Sequence, residues 1–318
     1  MTAPTTSYSR TVASGQRSLE ASSPRYGEKL IKGFLAMCGL LSIAVTTAIV
    51  VSLLLPTIDF FGEVSIVEFL TGTLWAPLFA NASFGVWPVV VGSLMVMVIS
   101  LAVAVPVGLL SAIYLSEYAK PEVRRVVKPV LEVLAGIPTV AIGLFAFWFI
   151  RPLAETLLPF LPWQGPFSVG VAALGVGLLI VPVITSIADD SMRAVPASLR
   201  QGGYALGATK LEVATKIVFP AALSGIVAAI VLGGSRAIGE TMVVFIAAGA
   251  GNPFLSFDPT KGVQTMTAFI AGAATGDIPT GTIKYNTIFA VGSLLFVFTL
   301  SLNALSMRFV RRFREEYD

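Results

Sequence analysis

The sequence predicts an all-α integral membrane protein with six transmembrane helices and both termini in the cytoplasm. Three observations carry this. The chain is 55% hydrophobic and only 12% charged, against about 25% charged in an ordinary soluble domain. Six stretches reach the roughly 20 apolar residues that a spanning helix needs. The basic residues cluster on one side of those stretches. Length alone, 318 residues, would permit two soluble domains, but a mean hydropathy of +0.85 leaves too little charge to cover a soluble surface. Composition also excludes chemistry. With no histidine there is no Ser-His-Asp triad, Cys-His dyad or histidine metal site. The single cysteine, Cys38, excludes an intrachain disulfide and a CxxC pair.

The expected spans are Gly33–Leu55, Val86–Tyr114, Pro129–Ile150, Val169–Ile187, Ala222–Ala248 and Thr287–Met307. The start of the third is interrupted by Glu132, Gly136 and Pro138. No run alternates with period two, which argues against a barrel. Residues 1–28, rich in Ser and Thr, are expected to form a disordered cytoplasmic tail, and residues 29–318 the membrane domain. The first span is too long for a signal-peptide core and lacks a cleavage pattern. Prolines inside spans, Pro106, Pro138 and Pro182, predict kinks.

Lysine and arginine placement gives the orientation. With the N-terminus inside, the cytoplasmic side holds Arg10, Arg17, Arg25, Lys29 and Lys32, then Lys120, Arg124, Arg125 and Lys128. It also holds Arg193, Arg200, Lys210 and Lys216, and the run Arg308, Arg311, Arg312 and Arg314, seventeen of the 21 in all. The other side holds Arg151, Lys261 and Lys284. An odd number of spans would put the basic C-terminus outside, so the count is six. The C-terminal run suits anionic lipid. Most of the other clusters are explained by topology alone.

The cytoplasmic segment around residues 189–221 contains VPASLRQGGYALGATKLEVATKIVFP, Val195 to Pro220. Pro196 can open a short helix and Gly207 can end it in the left-handed conformation. Thr209-Lys-Leu-Glu212 has the spacing of a capping box, and Pro220 marks the turn into the next span. The pattern is helix, glycine corner, helix, able to pass a push from a soluble partner into the membrane. No Walker A motif is present: Gly202 and Gly207 lack the Gly-Lys-Ser/Thr that must follow, so ATP is expected to be held by a partner chain.

This loop resembles that of ABC importer permeases, whose pattern is E-A-A-x3-G-x9-I-x-L-P. Gln201-Gly202-Gly203, Gly207, Ile217, Phe219 and Pro220 stand at the matching spacings. Gln201-Gly202-Gly203 departs from Glu-Ala-Ala, and Phe219 from Leu. The departure removes a charge but keeps a hydrogen-bonding side chain, and each glycine costs roughly 1 kcal/mol of helix stability relative to alanine. The resemblance implies a type I importer permease fold. It also implies that the short helix docks on an ATPase subunit through Gln201, Gly202, Gly203, Gly207, Ile217 and Pro220.

The fifth span contains GGSRAIGETMVV, Gly233 to Val244. Ionisable groups within a span are functional candidates. Arg236 and Glu240 are four apart and would share a helix face. Gly225, Ala229, Gly233 and Ala237 form a ladder of small residues that admits a close helix. The pair therefore reads either as an ion pair holding the bundle or as a contact for an anionic substrate, for which the arginine fork is suited.

GSRAIGETMVV is similar to the RA-[IL]-GETM-[AV] segment of phosphate-importer permeases. Met242 points to the PstC type rather than PstA, where alanine usually follows the glutamate and threonine. Val64–Pro77 and Tyr114–Leu144 extend the similarity from about Phe60 to the C-terminal arginines. The resemblance implies that Arg236 and Glu240 lie along a phosphate path. It implies a PstA-type second permease, a dimer of ATPase subunits, an extracytoplasmic phosphate-binding protein and an inner-membrane location, with no cofactor or nucleic acid of the chain's own. A hydrogen-donating phosphate could be favoured over sulfate by an ionised Glu240, which only accepts.

Other readings stay open: a permease for molybdate or sulfate, or an ion-coupled transporter needing no ATPase. A membrane enzyme would have to use Asp189-Asp190, neighbours that do not face each other across a helix. The outward loops, Pro56–Gly85 and Gly249–Asn286, suit docking of a binding protein, and Trp75 and Trp87 suit the lipid interface.

Overall fold

The computed structural model describes residues 26–312. Residues 1–25 and 313–318, including Arg10, Arg17, Arg25 and Arg314, lie outside them, as do the side chains of residues 309–312. Most of the expected tail is therefore outside the described residues, although helix is already present at Tyr26. The chain divides into two units, Met1–Val51 and Ser52–Asp318.

The described part of the first unit is the start of helix α1 (Tyr26–Glu63). It is apolar on every side, and Leu30, Phe34, Leu35, Leu40 and Leu41 are all exposed. A helix of that kind is at home in hydrocarbon.

The second unit is helical throughout, with two isolated β-bridges and no strand among the described residues. Its α1 segment runs through Pro56 to Glu63, past the expected end at Leu55. There follow α2 (Ile66–Thr71), α3 (Trp87–Ile113), a π turn (Tyr114–Tyr118), α4 (Pro121–Ala135) and α5 (Thr139–Phe145). A second π turn (Ala146–Ile150) leads to α6 (Arg151–Leu157) and α7 (Val169–Arg193). Next come α8 (Ala197–Ala205), α9 (Lys210–Glu212), a third π turn (Val213–Val218), α10 (Phe219–Ala221) and α11 (Leu223–Gly239). The order closes with α12 (Met242–Ala247), α13 (Met266–Ala274) and α14 (Ile283–Arg312). Among the described residues five helical stretches are long and apolar enough to cross a bilayer, or six if α11 (Leu223–Gly239) is counted together with the arm bent from it, Lys210–Ala221.

Helix α7 is the centre of the bundle, packed on α3, α11 and α12. Small residues set the distances. A Cβ on Gly108 would stand 2.9 Å from Ile184 Cγ2, and one on Gly233 2.8 Å from Ile180 Cγ2. Ser100 Oγ donates across the α3–α7 interface to the Ala173 carbonyl at 2.8 Å, a polar link with no competing water at that depth.

Two expectations are corrected. The third span does not begin at Pro129. Residues 121–135 form a separate amphipathic helix, and the crossing starts at Thr139, because Gly136-Ile137-Pro138 breaks the backbone and Pro138 caps α5 instead of kinking it. Trp75 is not an interface residue. It is 2% exposed and sits edge-on against Phe69 and Phe269 in an aromatic core that includes Phe60 and Phe84. Trp87 is partly exposed and donates to the Leu70 carbonyl at 2.7 Å. The segment expected as the second outward loop contains α13, whose Met266 and Phe269 join the same core.

Candidate functional site

The arm from Pro196 to Pro220 forms as its sequence requires. Pro196 precedes α8, Gly207 adopts φ +81, and Thr209 and Glu212 make a reciprocal capping box. The Glu212 carboxyl is lowered to about 2, chiefly by the Thr209 backbone N–H, then by Lys216 at 3.1 Å and the Thr209 hydroxyl. The Asp258 carboxyl is likewise lowered, first by the Thr260 hydroxyl at 2.6 Å and then by the Thr260 N–H.

The two glycines of α8 are not equivalent. Gly203 is buried, and a Cβ there would meet Ile217 Cδ1 at 2.5 Å and Val213 Cγ2 at 3.1 Å. Gly202 faces open space. Ile217 thus packs under α8, and Gln201, Gly202 and Leu206 form the exposed side, Leu206 at 90% exposure. Pro220 lies in the first turn of α10, and the chain bends by 72° between the Lys210–Ala221 arm and α11. The arm is therefore one packed corner, with α11 leading away from it.

Arg236 and Glu240 are not brought together. Helix α11 ends at Gly239, Glu240 turns the chain away with φ −68 and ψ 129, and the two side chains form no ion pair. Glu240 is 9% exposed. Its Oε1 accepts from the Val243 N–H at 3.4 Å, and its carbonyl accepts from Thr267 Oγ1 at 2.7 Å. Arg236 is exposed, and no carboxylate among the described residues lies within ion-pair distance of it. The reading as a bundle-holding ion pair is overturned. The ladder of small residues does pack closely: Gly225 abuts Ser191, and Gly233 abuts Ile180 and Ile184 of α7. Leu232, Arg236 and Gly239 occupy the side of α11 left exposed.

Several residues escaped sequence reasoning because their partners are remote. Arg200 donates from Nη2 to Glu117 Oε1 at 3.0 Å and to the Met192 carbonyl at 2.7 Å, and from Nη1 to the Val195 carbonyl at 2.6 Å. This ties α8 to the ends of α3 and α7. Arg124 Nη2 meets Asp189 Oδ2 at 2.7 Å, and Lys128 bonds Asp190. Asp189 and Asp190 are thus committed to fastening α4 onto α7. Arg151, expected as a loop charge, is buried: it bonds Glu155 and the Gly165 carbonyl and lies over Trp163, 4.7 Å from the ring centroid.

Residues 104–315 match the family described as binding-protein-dependent transport system inner membrane component. The chain is 34% identical over 281 residues to the probable ABC transporter permease protein YqgH of Bacillus subtilis, covering 85% of this chain and 88% of that one. It is 30% identical over 308 residues to the phosphate transport system permease protein PstC of Haemophilus influenzae, with 91% and 94% covered. Its fold is similar to a chain of a bacterial ABC transporter that imports alginate, at TM-score 0.54 and 14% identity, covering 87% of this chain and 99% of that one. It is also similar to a chain of the inward-facing MetNI methionine transporter, at TM-score 0.53 and 18% identity, covering 73% and 95%. The chain belongs to the binding-protein-dependent transport system inner membrane component family and is a PstC-type permease subunit of an ABC transporter.

Proposed function

We propose that this subunit forms half of the pathway of an ATP-driven phosphate importer. Its partners in that reading are a PstA-type second permease, two ATPase subunits and an extracytoplasmic phosphate-binding protein. The carrying observation is Arg236: a guanidinium in the last turn of α11, exposed and without a counter-ion among the described residues, beside the break at Glu240. An arginine at membrane depth is costly against lipid, by about 2.5–3.5 kcal/mol on insertion scales. It is accommodated on a face that a second permease closes around a watered path. The fork can donate two parallel charge-assisted hydrogen bonds to a tetrahedral oxyanion. The phosphate named in the PstC relatives is such an anion.

Glu240 contributes differently. Held against the start of α12 and under Thr267, it leaves Arg236 uncompensated for the anion while keeping an acceptor close in sequence. An ionised carboxylate accepts a hydrogen bond from protonated phosphate and offers nothing to sulfate.

The basic end of the bundle faces the cytoplasm in this reading, with both termini on that side. The exposed side of α8, carrying Gln201 and Gly202, seats in the ATPase, while Gly203, Gly207, Ile217 and Pro220 shape the corner behind it. Closure of the ATPase dimer displaces α8. The displacement passes through Arg200 to Glu117 at the end of α3, and through the arm into α11. That helix is about 25 Å long at 1.5 Å per residue and carries Arg236 at its far end. The permease needs no cofactor, since ATP is bound and hydrolysed by the partner.

The reading is tested by labelled-phosphate uptake in proteoliposomes holding the full complex. ATP-dependent uptake that excess sulfate and molybdate leave intact is expected. Strong competition by either would assign a different oxyanion, and uptake without the ATPase would assign an ion-coupled transporter.

A further inference from the structure

Helix α4, fifteen residues long, buries none of its residues. Val123, Val126, Val130 and Val133, at spacings of three and four, are 38%, 64%, 51% and 72% exposed. At about 100° per residue they form one stripe. Arg124 and Lys128 point well away from that stripe and fasten the helix to Asp189 and Asp190 in the last turns of α7. Two residues, Ala119 and Lys120, join α4 to the π turn ending the α3 crossing, and three, Gly136 to Pro138, join it to α5. Both its ends and its anchor are therefore at the level where spans leave the bilayer. An apolar stripe held there meets the boundary of headgroups and acyl chains.

A cavity of about 380 Å³ between α3, α11 and α14 is apolar. The cavity beside the start of α4 is different. It measures about 320 Å³ and is lined by Ala119, Pro121, Arg124, Arg125 and Arg193. Arg124 is committed to Asp189. Arg125 and Arg193 are exposed, and no carboxylate among the described residues pairs with either. Two free guanidiniums from different helices thus converge on one pocket beside a membrane-surface helix. Arginine forks match phosphate oxygens.

We propose that α4 lies in the membrane interface and that the Arg125–Arg193 pocket binds the phosphodiester of an anionic lipid headgroup. The valine stripe, on the far side of α4 from Arg124, seats the helix against acyl chains and so holds the pocket at headgroup level, which favours a lipid over a soluble phosphate. The site is separate from the Arg236 path and does not depend on which anion is transported.

The test uses the full complex in nanodiscs of phosphatidylcholine with added phosphatidylglycerol, with retained lipids read by native mass spectrometry. Wild type is expected to retain phosphatidylglycerol in preference to phosphatidylcholine, and the R125Q/R193Q variant to lose that preference by roughly ten- to thirty-fold. Both side chains are exposed and unpaired, so the variant keeps its fold. In a Cys38→Ser background, fluorophores on Val126→Cys and Val133→Cys should be quenched by lipid-borne and not by aqueous quenchers. Unchanged phosphatidylglycerol retention in the variant would overturn the site. So would its displacement from wild type by millimolar inorganic phosphate, which would mark a free-phosphate site. Quenching of both labels from water would overturn the interfacial placement.

Discussion

Arg200 and Glu117 stand 83 residues apart in sequence, yet the Arg200 guanidinium bonds the Glu117 carboxylate at 3.0 Å on side chains only 19% and 5% exposed. The pair joins the helix expected to meet the ATPase to the end of α3. A mostly buried pair that loses one member leaves an uncompensated charge. Arg200→Ala should therefore cost about 2–3 kcal/mol and uncouple ATP hydrolysis from transport. Glu117→Gln should be milder, because Arg200 keeps the Met192 and Val195 carbonyls. The charge-reversed double variant should not recover, since a carboxylate at 200 would face those carbonyls. Thermal unfolding and ATP turnover per anion transported check both, and full recovery by the reversal would show that only the pairwise charge matters.

The glycines of α8 give a second contrast. Gly202→Ala should stabilise the helix by up to about 1 kcal/mol, having nothing within 4 Å to strike. Gly203→Ala should gain less or lose, because its Cβ meets Ile217 Cδ1 at 2.5 Å. Adding Ile217→Val, which removes that methyl, should recover part of the loss. Melting temperatures of the four proteins decide it, and equal gains from both alanines would contradict the packing described.

The capping box sets a pH dependence. The Glu212 carboxyl is lowered from 4.5 to about 2, so its ionised form is the one the fold favours. The contribution is fully present above about pH 4.5 and is lost as pH falls toward 2. The stability difference between wild type and Glu212→Gln should be flat from neutrality to about pH 5 and shrink below it. Thr209→Ala, which removes the cap, should cost about 1 kcal/mol. A difference that instead grows as pH falls would carry the wrong sign.

Arg124 and Asp189 offer a double-mutant cycle. Asp189 is 1% exposed and Arg124 23%, so their coupling should be on the order of 1–3 kcal/mol and only weakly salt-dependent. Lys128 with the exposed Asp190 should couple by less than about 1 kcal/mol. Comparable, salt-sensitive values for both would place Asp189 in water.

Local physics made much of this legible from the sequence. Span composition, the Gly207 corner and the Thr209–Glu212 box depend on neighbours a few residues away, and each is present as expected. The misreadings share a cause. Helical spacing puts Arg236 and Glu240 four apart, but the Glu240 carboxylate is buried and accepts from the Val243 N–H beyond the helix end, while Arg236 stays exposed. The apolar residues from Pro129 onward suggest the start of a span. Their period instead marks a surface helix, and only Gly136-Ile137-Pro138 starts the crossing. Arg200 and Arg124 read as topological charge, and Asp189 as one of two adjacent acids, because their partners lie 65 to 83 residues away, beyond any local pattern.

The most direct test of the path is Arg236→Gln in the full complex. Among the described residues nothing bonds the Arg236 side chain, so its loss should leave folding, assembly and ATPase binding intact. Labelled-phosphate uptake should nevertheless fall to background. An assembled Arg236→Gln complex that takes up phosphate at the wild-type rate would contradict the assignment.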